Sequence, residues 1–200
     1  MVGKLHFYSA DSSEKRYVHV ILAFISVCLA YALASITKAT AIQIPWWVDA
    51  PAVFGFYGLI YTLFDKYLWQ LHSIRKILRL KIPMISGNYS GSLSSSHDKF
   101  KKKTKITANI QQSWDKILIQ IETNQSKSHS LSASFHVSDR ISPVLIYYYE
   151  NTPFVSSVKT MHAHKGLAEL HVKSDGLNGE FFTGRDRITF GRFVLSKNQS

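Results

Sequence analysis

Apolar and polar positions follow two different patterns along the 200 residues, and the change falls at Pro83. From Tyr17 to Thr37 the chain runs 21 residues without Asp, Glu, Lys or Arg. At about 1.5 Å per residue such a helix is about 30 Å long, the thickness of a bilayer's hydrocarbon core. A second run, 45–64, is broken only by Asp49 near its start, with Trp46 and Trp47 where an interfacial aromatic belt sits. Two transmembrane helices, 17–37 and 45–64, are therefore predicted. A cleavable signal peptide would use Ala32-Leu33-Ala34 as its cleavage site. Against it stand the length of the run, the late pair Lys15–Arg16 and the second span close behind. Asp49 has two readings, an intramembrane functional carboxylate or an interfacial residue beside the tryptophans.

Lys38 is the one cation between the spans. Lys4, Lys15 and Arg16 precede the first, and Lys66, Arg75, Lys76, Arg79 and Lys81 follow the second. The positive flanks lie outside the pair, which predicts a hairpin with a cytoplasmic tail (1–16) and both termini in the cytoplasm. In 65–82, Leu68, Leu71, Ile74 and Leu78 recur at helical spacing among Arg75, Lys76 and Arg79. This predicts a basic amphipathic stalk helix on the membrane surface, stopped by Pro83.

Beyond Pro83 hydrophobicity alternates. Ile106, Ala108 and Ile110 oppose Lys105, Thr107, Asn109 and Gln111. Ile117, Ile119 and Ile121 oppose Lys116, Gln120 and Glu122, with Leu118 out of place. Leu131, Ala133, Phe135 and Val137 oppose Ser130, Ser132, Ser134 and His136. Period-two patterning with one wet face predicts antiparallel strands. Eight are expected, near 86–95, 103–112, 115–123, 129–138, 142–150, 166–173, 177–183 and 186–196. Short connections favour an eight-stranded antiparallel up-and-down, lipocalin-like β-barrel over 83–200, with a two-sheet sandwich as the alternative.

Composition narrows the function. The chain carries +11, of which +6 lies in 83–200, which suits an anionic ligand or surface. The single Cys28, inside an apolar run, excludes an internal disulfide framework. No Walker loop, nucleophile elbow or zinc-type Cys pair occurs, so no catalytic residues are assigned and no enzyme is expected. His162-Ala163-His164 with His171 lacks an acidic or Cys partner at fixed spacing, so no metal is expected. Lys99, Lys101, Lys102, Lys103 and Lys105 read as a solvated hairpin turn or as a contact for lipid or nucleotide phosphate. Alternation puts Tyr147 and Tyr149 on one strand face and Tyr148 on the other. Aromatic faces stack on bases and arginine forks match phosphate oxygens. Tyr89, Tyr147, Tyr149 and Phe182 are accordingly stacking candidates, and Arg185, Arg187 and Arg192 phosphate candidates.

Gly87-Asn88-Tyr89-Ser90-Gly91 and Gly179-Glu180-Phe181-Phe182-Thr183-Gly184-Arg185, the latter followed by Gly191, complete the pattern. With the two-span hairpin, these segments resemble the first strand and closing hairpin of the two-transmembrane, β-strand-rich effectors of bacterial anti-phage CBASS signalling. The resemblance implies a barrel receptor for a cyclic dinucleotide made by a partner nucleotidyltransferase, with no other cofactor and no DNA or RNA polymer as partner. It further implies homo-oligomerisation of the hairpins on ligand binding, inner-membrane disruption and abortive infection. The alternatives are a non-enzymatic anchor whose barrel binds a protein partner or anionic lipid, and a membrane-anchored enzyme acting on a lipid or phosphoester.

Overall fold

A computed structural model describes residues 3–40, 46–137, 142–158, 161–184 and 188–198, with the backbone alone at 46–51. The chain divides into two compact units. One is helical, Ser13–Lys81; the other joins Met1–Ser12 to Ile82–Ser200.

The helical unit contains α1 (Glu14–Ala39), α2 (Trp46–Lys66) and the short α3 (His72–Ile77). Among the described residues α1 alone is long and apolar enough to cross a membrane. It buries Glu14, Val18, Leu22 and Ser26, an i, i+4 line along one face. Half-buried Ala30 and Ala34 continue that line. His19 Nδ1 lies 2.9 Å from the Tyr57 hydroxyl and its ring stacks on Tyr61, so the polar group inside the apolar run is partnered within the unit. Gly55 and Gly58 have open space beside them and lie away from the α1 contact. The stalk differs from expectation. Instead of one helix over 65–82 there is a 3₁₀ turn at Leu68–Gln70, an extended Leu71 and then α3. The chain turns at Arg79, whose φ of 49° is left-handed. Folding back satisfies polar groups that a straight stalk would leave to solvent. The Glu14 carboxylate accepts from the Lys81 N–H at 2.7 Å, and the Tyr17 hydroxyl donates to the Leu78 carbonyl.

The second unit is a closed barrel of nine strands among the described residues, one more than the sequence pattern predicts. The expected eight are present as β2 (Gly87–Ser95), β3 (Thr104–Gln112), β4 (Lys116–Glu122), β5 (Ser126–His136), β6 (Val144–Pro153), β7 (His164–Val172), β8 (Gly176–Thr183) and β9 (Phe190–Lys197). They run antiparallel in sequence order, and β9 pairs with β2 to close the cylinder. The addition is β1 (His6–Ala10), drawn from what reads as a tail. β4 and β5 pair only from Gln120↔His129 to Glu122↔Lys127. Beyond that a bulge between Ser130 and Ser132 turns β5 away, and β1 fills the gap. It pairs antiparallel with β4 at His6 and Phe7, and parallel with β5 from Tyr8 to Ala10.

The bulge also corrects the expected faces of β5. Ser126 and Ser130 are buried and Leu131 is exposed, because one extra residue inverts the alternation. Ser130 Oγ accepts from the Ile119 N–H at 3.0 Å and lies 2.7 Å from His6 Nε2, covering groups the broken ladder leaves open. Leu118, the misfit in β4, is buried, and a Cβ added at Gly3 would meet it at 2.9 Å. The N-terminal segment therefore covers Leu118 on the barrel's outer face.

The barrel interior is graded. One end is packed with Ile82, Ile85, Trp114, Ile117, Phe135, Leu145 and Leu170, all at most 1% exposed. Gln112 locks the entering chain there, accepting from the Ile85 N–H at 2.9 Å and donating to the Pro83 carbonyl at 3.0 Å. The opposite end, beneath the β2–β3, β4–β5, β6–β7 and β8–β9 connections, is lined by aromatic and aliphatic side chains together with hydroxyls and amides and leaves a cavity.

Candidate functional site

The cavity has a volume of about 180 Å³ and opens to solvent at this loop end. Its wall is aromatic on the β6, β8 and β9 side, where Tyr147, Tyr149, Phe181 and Phe193 point inward. Inward aim follows from the pleat, since residues two apart share a face. Tyr147 and Tyr149 are buried with ring centroids 6.1 Å apart, and Phe181 lies 6.3 Å from Phe193. Gly166 on β7 makes room for Tyr149: a Cβ there would stand 2.5 Å from the phenol oxygen. Space for the ring thus requires glycine on the neighbouring strand.

The rest of the wall mixes Leu93, Ile121, Met161 and Ala168 with polar side chains held by their own hydrogen bonds. Thr123 Oγ1 accepts from the Gln125 and Ser126 N–H groups at 3.0 and 2.9 Å, tying the β4–β5 turn. Thr183 Oγ1 lies 2.8 Å from Thr189 Oγ1 and accepts from the Thr189 N–H at 3.0 Å, drawing together the described flanks of the β8–β9 connection. Asp98 and Ser128 face the same space. No lysine or arginine is among the described lining residues. Cations stand instead in the β2–β3 connection, where exposed Lys99, Lys101, Lys102 and Lys103 form a turn, with Lys99 at φ 57° and Phe100 at φ 62°.

Of the residues singled out from the sequence, Tyr147 and Tyr149 share the cavity wall. Tyr89 is buried at the packed end, its hydroxyl donating to the Ile85 carbonyl at 2.9 Å. It therefore fills core rather than cavity. Phe182 is 56% exposed on the outer face. The inward parity set by Leu177 and Gly179 falls on Phe181, a period-two signal already present in the strand. Arg192 is likewise outward, paired in register with Glu180. Arg185 and Arg187 lie outside the described residues. Phe181, Phe193 and Asp98 are among the lining residues not chosen as candidates from the sequence. Among the described residues no group of three or more His, Cys, Asp or Glu is placed to hold a metal ion.

Burial pushes the Tyr147 phenol far above the ordinary tyrosine value of 10.0, with Tyr149 adding to the effect, and burial raises Tyr89 as well. A pKa raised on folding contributes stability that is complete below the unfolded value and is lost as pH climbs through the folded one. Chemical denaturation of the full chain is therefore expected to show falling stability above pH 10, and Tyr147→Phe to flatten the decline. An unchanged slope in the variant would contradict this account.

Residues 80–197, the strands that frame the cavity, match the family described as Cap15, cyclic dinucleotide receptor domain. The chain belongs to the Cap15 family. Residues 17–70 match its companion region, Cap15, TM helices. A curated relative from Yersinia aleksiciae, CD-NTase-associated protein 15, is 28% identical over 198 residues, covering 93% of this chain and 91% of the relative. A Cap15 chain with both regions is a membrane effector of CBASS defence that binds a cyclic dinucleotide through its barrel.

Proposed function

We propose that the cyclic dinucleotide enters the loop end of the barrel and places a base against Tyr147, Tyr149, Phe181 and Phe193. The observation that carries this reading is the aromatic-walled cavity at the one loosely filled end of the receptor domain. Its volume is below the about 300–1,000 Å³ usual for a drug-sized ligand. It therefore takes part of the ligand, and the phosphates rest at the mouth. Cations for them stand in the β2–β3 turn, at Lys99, Lys101, Lys102 and Lys103, and in the sequence of the β8–β9 connection, at Arg185 and Arg187.

The membrane reading is a hairpin of two crossings in the bacterial inner membrane with both termini cytoplasmic. Supporting it, β1 precedes the apolar helices and β2–β9 follow them, so one barrel built from both sits on one side of the bilayer. The chain between then crosses an even number of times. Ligand binding drives homo-oligomerisation of the hairpins and disrupts the membrane. For this the ligand must favour the assembled state over the monomer. The barrel acts as receptor, not enzyme.

Titration of the detergent-solubilised full chain with a panel of cyclic dinucleotides tests the site. Saturable binding of one member is expected. Base–aromatic stacking is worth about 1–3 kcal/mol per base, so Tyr149→Ala is expected to weaken that binding about tenfold or more. Phe182→Ala, one residue from the wall but outward, is expected to leave it within about twofold of wild type. No saturable binding by folded wild-type chain would remove the receptor assignment of the cavity and favour an anchor that binds protein or lipid.

A further inference from the structure

The aromatic wall of the cavity ends in an amide. Asn151 follows Tyr147 and Tyr149 at two-residue spacing along β6, so the pleat turns it inward with them, and it lines the cavity on the side of the β6–β7 connection. It is 7% exposed, yet its polar groups are poorly served. Its Nδ2 donates to the Met161 sulfur at 3.6 Å, and a thioether is a weak acceptor. Its side-chain oxygen, Oδ1, accepts no hydrogen bond among the described residues and, unlike the unpartnered Ser12 Oγ and Asp98 Oδ1, keeps accessible surface. The neighbours in register are engaged elsewhere. Ser128 donates to the Ile121 carbonyl at 3.2 Å, and His164 Nδ1 lies 3.0 Å from the His162 carbonyl. A polar group taken out of water without its partners is costly, and the cavity is where a partner can enter.

We propose that Asn151 sets which base the cavity takes, its Oδ1 accepting from an exocyclic amino N–H and its Nδ2 donating to the ring nitrogen beside that group. This rests on the cavity being the cyclic dinucleotide site. Residues two apart on one strand face stand about 7 Å apart, so a base stacked on Tyr149 brings its edge to Asn151. The aromatic rings hold the faces of the base and the amide reads its edge, as a few placed polar groups do in an otherwise apolar pocket. Adenine is the match. Its amino group stands between N1 and N7, so a donor lies beside an acceptor on either edge, and Asn pairs with it through both. Guanine carries an oxygen at that position, and on its N7 edge the oxygen would face Oδ1, acceptor against acceptor.

Asn151→Leu tests the assignment, since it nearly keeps the volume and the net charge while removing both polar groups. The full chain in detergent is titrated with pairs of cyclic dinucleotides alike in linkage and second base, one with adenine and the other with guanine at the varied position. Wild type is expected to bind the adenine member of at least one pair about five- to a hundredfold more tightly, the range for a matched amide–base pair. Asn151→Leu is expected to bring the two members within about twofold of each other, as loss of a direct contact does. An analogue with N6,N6-dimethyladenine removes the amino donor without touching the protein. It is expected to bind wild type as weakly as the guanine member does and to lose little on the variant, and it decides the matter alone if Asn151→Leu does not fold. A wild-type chain that binds no adenine member more tightly than its guanine counterpart, or an Asn151→Leu chain that keeps the wild-type preference, would overturn the proposal and leave the cavity assignment to the Tyr149→Ala test. Failure of every member to bind folded wild type would overturn both.

Discussion

Tyr8→Ala is expected to cost the barrel about 3–5 kcal/mol, the usual loss for deleting a buried large aromatic side chain. Tyr8 is 5% exposed, meets Phe135 edge-on at 5.3 Å, and donates its hydroxyl to the Trp114 carbonyl at 2.6 Å. The ring holds β1 between β4 and β5. Its removal empties a packed site and leaves a buried carbonyl without that donor. Tyr8→Phe, which loses only the hydroxyl, is expected to cost about 1 kcal/mol. Denaturant titration of the full chain measures both, and a Tyr8→Ala cost below 1 kcal/mol would show that β1 is dispensable. The same argument predicts that a fragment beginning near residue 82 exposes the edges of β4 and β5 and self-associates, as unpaired strands do. Restoring residues 3–12 should return it to a monomer in light scattering.

Gly91→Ala is expected to be comparably damaging for a different reason. Gly91 lies in the β2–β9 seam that closes the barrel, opposite Leu195. A Cβ there would overlap the Val194 backbone carbonyl. Backbone cannot rotate away as a side chain can, so the two strands must separate at the closing ladder. The cost is expected at the top of the about 1–3 kcal/mol range for overpacking or beyond it, with ligand binding lost in parallel. Gly184→Ala, where nothing stands within 4 Å of the added carbon, is the control and should unfold with wild type. A Gly91→Ala protein with wild-type unfolding temperature would mean the seam breathes enough to admit a methyl group.

Both residues show where reading the chain locally succeeds and stops. Gly91 was visible as a strand glycine, which marks a bend or close approach, although its partner was not. Tyr8 stands in HFYSA, five residues whose aromatic pair is the only local sign of a strand. Its backbone N–H donates to the Asp115 carbonyl, its strand partner on β5 is Ala133 and its ring meets Phe135, all more than 100 residues away. The stalk kept helical spacing but not helical continuity, because Glu14 and Tyr17 bond to the backbone at Lys81 and Leu78. Alternation puts Tyr147 and Tyr149 on one strand face, and both turn inward because β6 alternates without interruption. Phe182 lies outward while Phe181 lines the cavity, because one position along a strand means the opposite face.

Eight barrel strands and the apolar helix α1 follow from local pattern alone. Period-two alternation and a long uncharged run reflect which side of each element meets water or lipid, and that is settled residue by residue. The ninth strand, the inversion of β5 at its bulge, the packed and open ends, and the meeting of Asp98 with Tyr147 and Tyr149 depend on contacts between distant segments. No stretch of sequence carries them, because each arises from how β4 and β5 diverge and from which side chains the closed cylinder has room to admit.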